Sequence, residues 1–321
     1  MDKKLRAHRL DLKIQIRKYE EGYREQWEAF IERAANGTFL QRRSFMEYHG
    51  DRFQDASLMV WEGEELLAVF PAHQVGNQIF SHQGLSFGGW IFKRGLSLSF
   101  QRQIINSILG FYKNQAIQSL MVTPVPYYYS QEEGLQEVDY DTLGFEISGN
   151  KEIYLIEAPF ILKDKGKKKG VRRALRKGLD VREGELTQGF WEGLMVPLYA
   201  AKIGKDPVHS WEEIALLSER HPGRIQLISA YLEEELLAGL VIFRHPQVIK
   251  VQYSAVTEHG KICRAMDFLM QYLMNLPHIH YIDMGTVYDG QTGEKLESLA
   301  YWKESFGAVS RKIPSLHLKL I

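Results

Sequence analysis

Asp283, Tyr253 and His209 are side chains whose types can move a proton, and the string around each suggests how it is held. Asp283 ends the apolar run Tyr281-Ile282-Asp283, so it reads as a carboxylate at the tip of a buried strand, where its partners set its basicity. The same place suits a structural acid that accepts the backbone N–H groups of Gly285 and Thr286. Tyr253 and Ser254 lie in the strand-like run Val248 to Val256, in which alternation turns one of the two hydroxyls inward. His209 would titrate near neutrality. Yet Ser210 with Glu213 makes a capping box, which explains Pro207-Val208-His209-Ser210-Trp211-Glu212-Glu213 as a plain helix start.

Other groups suit binding. His82, Gln83 and Ser86 form a polar cluster in Ser81-His82-Gln83-Gly84-Leu85-Ser86-Phe87-Gly88-Gly89, with hydrogen-bonding atoms for an acceptor such as a sugar; an internally satisfied strand is the alternative. Arg172, Arg173 and Lys303 are candidates for phosphate contacts, since guanidinium and ammonium groups pair well with phosphate oxygens. Arg172 and Arg173 stand in a basic run from Lys163 to Lys177 whose one acid is Asp164. Such a run is commonly a solvated face, the reading adopted for Lys167 to Lys169. Gly166 and Gly170 predict a break in its first part and a short helix from Arg172 to Lys177. The histidines are scattered, and His278 and His280 have no carboxylate or cysteine at ligand spacing, so no metal is expected. No Walker-type phosphate loop, Gly-x-Gly-x-x-Gly string, His-Glu-x-x-His helix or nucleophile elbow is present.

These residues need scaffolds to place them. A chain of 321 residues has room for two cores. Hydrophobic residues at 45% and charged residues at 25% are ordinary for a globular chain and exclude a disordered one. Lys plus Arg and Asp plus Glu both total 40, so no global field draws the protein to polyanions and any such site must be local. Cys263 is the one cysteine, which excludes an intrachain disulfide and fits a reducing compartment. The longest apolar run, Leu236 to Phe243, is too short to span a bilayer, and no signal-type stretch follows the charged N-terminus. A cytoplasmic location is the expectation.

Self-similarity organises the chain. Glu64-Glu65-Leu66-Leu67-Ala68 recurs as Glu234-Glu235-Leu236-Leu237-Ala238. Strand-like runs precede the two copies, at Ala56 to Trp61 and Ile225 to Tyr231, and follow them, at Gln78 to Leu85 and Val248 to Val256, so three meander strands are expected in each half. Helical patterns at Phe100 to Asn114 and Arg264 to Asn275 then lead into strands at Ile117 to Val122 and His280 to Met284. Amphipathic segments near Glu25 to Arg33 and Phe190 to Lys202 open the two halves.

This order, with a bend expected at Tyr253-Ser254-Ala255 and a helix after Gly260, resembles the GNAT acyltransferase fold. Gly170-Val171-Arg172-Arg173-Ala174-Leu175-Arg176-Lys177-Gly178, Asp283-Met284-Gly285-Thr286 and Tyr301-Trp302-Lys303-Glu304-Ser305-Phe306-Gly307-Ala308 narrow the resemblance to its FemAB-like, tandem-GNAT branch. The Ser81 to Gly89 string is similar to one in FemAB-like proteins found with bacterial cell-surface polysaccharide genes. The fold class so implied is α/β (α+β), with two GNAT-like domains, each a mixed, mostly antiparallel central sheet flanked by helices. They are expected over residues 10–160 and 183–321, joined by the basic segment 161–182.

The resemblance implies transfer of an acyl or aminoacyl group from an activated ester or thioester to an amine, without a covalent enzyme intermediate. Two strands splay in such folds, the donor arm lies between them, and its pyrophosphate meets a helix N-terminus. The first expectation is an N-acyltransferase with acyl-CoA, for instance acetyl-CoA, as co-substrate. Its acceptor would be a small-molecule or glycan-type amine, such as an amino sugar or cell-envelope precursor. A tRNA-dependent aminoacyltransferase of the Fem type and a non-catalytic module binding a glycan or nucleotide sugar are the alternatives. Tyr253 and Ser254 would then lie beside the donor. His259-Gly260-Lys261-Ile262-Cys263-Arg264-Ala265 stands where the pyrophosphate loop belongs. It keeps Gly260 and Ala265 but has Ile262 and Arg264 where the pattern prefers glycine. The phosphate contacts would therefore fall to the side chains of His259, Lys261 and Arg264, unless the string is an ordinary capping turn. Gly88 to Gly95 is a poorer loop still, so the first domain is expected to act as acceptor platform.

Overall fold

The computed structural model describes residues 14–132, 138–204, 206–289 and 292–321. They fold as two units, one holding the described residues up to Asn150 together with Pro314–Ile321, the other Lys151–Ile313.

The strands of the first unit are β1 (Ile14–Lys18), β2 (Gln54–Asp55), β3 (Leu58–Glu62), β4 (Glu65–Phe70), β5 (His73–Val75), β6 (Gln78–Phe80), β7 (Ile91–Phe92) and β8 (Ser119–Val122). Its helices are α1 (Arg24–Arg33), α2 (Arg43–Met46) and α3 (Leu98–Lys113). A small sheet takes the order β1-β3-β4-β7, while β8, β6, β5 and β2 are neighbours in a second sheet. Pro71 separates β4 from β5, as expected of a residue with no N–H to give a ladder, so one half of this strand pairs with β3 and the other with β6. The strand expected over Gln78 to Leu85 stops at Phe80, since His82 takes φ +63° and Gly88 comes so close to the Ser81 carbonyl that a Cβ would overlap it. Its meander partner is consequently β5 and not β4. The α3 residues Ile104, Ile105 and Ile108 repeat at helical spacing and bury one face against Leu58, Val60, Ala68 and Phe70.

β9 (Glu146–Glu157) leads into the second unit. There follow α4 (Lys165–Arg176), β10 (Leu179–Gly184), α5 (Gln188–Phe190), a π turn at Trp191–Met195, α6 (Val196–Ile203) and α7 (Trp211–Arg220). Then come β11 (Ile225–Leu232), β12 (Glu235–Arg244), β13 (Val248–Val256), α8 (Glu258–Cys263), α9 (Ala265–Met274), β14 (Tyr281–Asp283), α10 (Glu297–Glu304) and β15 (Val309–Lys319). The sheet runs β10-β11-β12-β13-β14-β9, parallel at β13/β14 and antiparallel elsewhere.

The duplication is written into the registers. A bulge shifts β3 against β4 at Val60/Trp61, so that Trp61 faces Leu66; β11 and β12 shift at Ala230/Tyr231, so that Tyr231 faces Leu236. Gln78 to Phe80 pair in parallel with Ser119 to Met121, just as Val248 to Lys250 pair with Tyr281 to Asp283. A bulge at the same place in both hairpins is a conserved piece of geometry, which a chance five-residue identity would not bring with it. The strands that close the two repeats then cross over: the end of β9 pairs with β14 in the second unit, and the end of β15 pairs with β8 in the first.

The basic run differs from expectation. α4 passes through both glycines, starting from Asp164, whose side chain accepts the Lys167 N–H. Gly170 is required by packing, because a Cβ there would overlap the Asp267 carboxylate on α9. Lys167 is buried rather than solvated, with Nζ 3.0 Å from Asp267 Oδ1 and 4.4 Å from the centre of the Phe306 ring.

Candidate active site

A gap in the second sheet is the feature with most chemical potential. β13 pairs with β14 only from Val248 to Lys250, and then stays with β12 as far as Val256. The chain after β14 stays with β9 instead: Met284 N–H donates to the Tyr154 carbonyl, and Tyr154 N–H to that of Gly285. Gln252 is the extra residue of a bulge in β13, since Val241 faces Tyr253 while Ile242 faces Val251. The bend thus falls one residue before the expected Tyr253-Ser254-Ala255. A bulge beside a strand separation frees backbone polar groups and re-aims the next side chains, and an extended ligand can use such an edge as a further strand.

Lys303 holds the other side of the gap. It is buried on α10, and its Nζ donates to the carbonyls of Met284 at 2.6 Å, Gly285 at 3.0 Å and Thr286 at 2.7 Å. Gly285 has φ +68°, which permits three successive carbonyls to converge on one ammonium. Burial lowers the Lys303 pKa to about 7, against the pull of Asp283 and with the help of Lys250. Its Nζ is thus engaged by three main-chain carbonyls, and Lys303 shapes the gap wall at the place where the sequence reading offered it to a phosphate.

Asp283 is buried where the two strands part. Its Oδ1 accepts the Gly285 N–H at 2.8 Å and its Oδ2 lies 3.7 Å from Lys250 Nζ. These are the partners of a structural acid, one of the two readings the sequence offered. Lys250 has no signal in the sequence, because a lysine midway along an apolar strand carries no local motif.

Tyr253 and His209 do come together. Tyr253 Oη and His209 Nδ1 are 2.5 Å apart, and both residues are buried. Trp191, in the π turn, meets the tyrosine edge-on at 5.0 Å between ring centres, and Tyr199 lies on it at 6.4 Å. π turns of this kind often mark functional positions in helices. Ser210 and Glu213 form both halves of the capping box, which fixes the chain immediately after His209. The histidine next to the cap is therefore held against the phenol, and the cap and proton-transfer readings are compatible. Ser254 is exposed.

The string expected to contact phosphates is helical, not a loop. His259 Nδ1 lies 3.0 Å from Glu235, Lys261 Nζ 2.5 Å from Glu258, and Arg264 Nη2 2.6 Å from Asp267. Thr257 caps α8 by accepting the Gly260 N–H. Ala265 is fully buried. Gly260 answers to packing: a Cβ would overlap the Leu237 carbonyl, which is already bound by Thr257 N and Oγ1 and so has little freedom to retreat. Gly260→Ala is accordingly expected to lower stability in urea unfolding by about 2 kcal/mol, the overlap outweighing alanine's better helix propensity.

In the first unit, His82 is buried, Gln83 exposed and Ser86 half-buried. Gln83 Oε1 lies 3.2 Å from His73 Nε2, and the His73 ring stacks on Phe80 and sits 5.6 Å from that of His82. Burial lowers the His73 pKa. His73 carries no sequence signal, because its short strand shows no pattern of its own. Arg172 and Arg173 are exposed on α4. No group of metal-binding side chains is found among the described residues.

No family model and no curated protein sequence matches the chain. Solved structures do. The chain is similar to FemX, with TM-score 0.67 and 12% identity over 95% of this chain and 97% of that one. It is similar to L-PGS from Bacillus licheniformis, with TM-score 0.55 and 14% identity over 94% and 93% of the respective chains. A conserved protein of unknown function from Bacteroides thetaiotaomicron matches with TM-score 0.50 and 11% identity over 95% and 99%. The fold is the FemAB-type arrangement of two GNAT-like domains.

Proposed function

We propose that a chain with this fold moves an acyl or aminoacyl group from an activated donor to an amine, at the β13/β14 gap of the second unit. The observation that carries the reading is the combination of a strand separation with a bulge at Gln252, directly before a buried Tyr253–His209 pair. In the reaction the amine nitrogen forms a bond to the donor carbonyl carbon and the carbon–sulfur or carbon–oxygen bond breaks. The amine proton leaves to water. The phenol proton of Tyr253 passes to the departing sulfur or oxygen, and the phenolate is reprotonated from His209 Nδ1 as the imidazole takes up at Nε2 the proton that water carried from the amine. Positioning supplies the rest, because a direct transfer needs the two reactants aligned and little else from the protein.

Acyl-CoA is the donor that a strand-like pantetheine arm in the gap would favour, with an amino sugar or cell-envelope precursor as amine. A second reading, an aminoacyl-tRNA donor, is favoured by one specific observation: the three basic side chains of the α8 segment each already face a carboxylate. Thermal shift separates the two. A rise in melting temperature with acetyl-CoA or longer acyl-CoAs that persists as salt is raised supports the thioester donor, since a ligand that binds only the folded state stabilises it. No shift with any CoA, together with aminoacyl transfer from charged tRNA to an added amine, selects the ester. Absence of both would remove the transferase reading.

A further inference from the structure

We propose that the exposed face of α4 docks the protein on an anionic lipid bilayer. The burial of α4 follows helical spacing: Lys167, Gly170, Val171 and Ala174 face inward. Lys165, Lys168, Lys169, Arg172, Arg173 and Arg176 are all exposed, and the two remaining outward positions are Gly166 and Leu175. No acid lies within the helix, and Asp164 is spent on its cap. Among the described residues none of these outward cations pairs with a carboxylate, whereas Lys167, Arg182, Lys261 and Arg264 all do. In a chain whose charges cancel overall, this is a local concentration of uncompensated positive charge.

Leu175 favours a lipid surface among polyanions. It is 57% exposed and shares a shallow surface with Lys165, Lys169, Arg172 and Arg176. Stacking on or reading bases calls for aromatic or amide side chains, and the outward face of α4 has none, which leaves a nucleic acid its phosphates alone to engage and no use for Leu175. Lysines and arginines around one exposed leucine make a polybasic surface of the kind that anionic headgroups attract, with Leu175 as the one group placed to enter the acyl boundary. No helix among the described residues is long and apolar enough to cross a membrane, so the contact would be peripheral. The inference stands on α4 and is independent of the transfer reading.

Co-sedimentation of the full chain with vesicles tests it. Binding is expected to phosphatidylcholine vesicles doped with phosphatidylglycerol, and not to phosphatidylcholine alone, and to weaken as salt rises. Replacing Lys165, Lys169, Arg172 and Arg176 together by Gln should reduce it roughly a hundredfold or more, at about a kcal/mol for each charge near the surface. All four are exposed, so the melting temperature should hold. Leu175→Cys carrying a polarity-sensitive dye reports insertion, because Cys263 is buried and unreactive by comparison; a blue shift on adding anionic vesicles supports the proposal. Vesicle binding that survives the quadruple substitution overturns it. So does salt-sensitive binding of unfractionated tRNA through the same four residues with no dye shift on vesicles, which would make α4 an RNA contact.

Discussion

Asp267→Ala is expected to destabilise the protein by about 3–5 kcal/mol in urea unfolding near neutral pH, the range found when one partner of a buried ion pair is removed. Asp267 has a side chain 5% exposed and holds two cations from different elements: Lys167 of α4 on Oδ1 and Arg264, at the αL junction of α8 and α9, on Oδ2. Without it, Lys167 keeps its place beneath α10 against the Phe306 ring with no countercharge. Lys167→Met in the same background separates the terms. If the loss comes from a stranded ammonium, the second substitution should recover much of it, because methionine fills the space without a charge to desolvate. Equal instability in the single and double variants would show that the carboxylate acts through Arg264 instead. A side chain at Gly170 would disturb the same ion pair, since the first atom added would take the space of the Asp267 carboxylate and force it to shift.

This ion pair also shows where sequence reading stopped. The inward positions of α4 do follow i, i+3, i+4, i+7, but they are occupied by Lys, Gly, Val and Ala, so the apolar stripe that normally announces a docked helix face is hidden. A lysine inside a charge run looks solvated until its partner, a hundred residues further on, is known. The repeat was legible for the opposite reason: the Glu-Glu-Leu-Leu-Ala strings sit at hairpins, where turn chemistry and register are both local. The break at Pro71 had a visible signal, since a proline in mid-run argues against one continuous strand. The bulge at Gln252 had none, and neither did the three carbonyls gathered by Lys303, which depend on a helix later in the chain. His209 and Tyr253 each carry a local signal, forty-four residues apart in sequence. Only the packing of the α7 start onto β13 shows that they are one unit.

That pairing gives the second large effect. With donor and amine both saturating, Tyr253→Phe is expected to cut turnover by roughly 10²-fold or more, the usual contribution of a positioned acid–base group, while the Michaelis constants change little. Removing the hydroxyl also leaves the buried His209 Nδ1 without this 2.5 Å contact, at a cost of about 1–3 kcal/mol. The rates must therefore be compared well below both melting temperatures, where each protein is fully folded. His209→Gln tests the relay from the other side. Glutamine can still hydrogen-bond the phenol but cannot exchange a proton with it near neutrality, so it should keep most of the stability and lose most of the rate. The pH profile adds a readout that packing alone would not move. If His209 restores the phenol proton, wild-type turnover should carry an ionisation that is absent from the His209→Gln variant. Full turnover in Tyr253→Phe would exclude the phenol as the proton source, and the leaving atom would then have to be protonated by water in the gap.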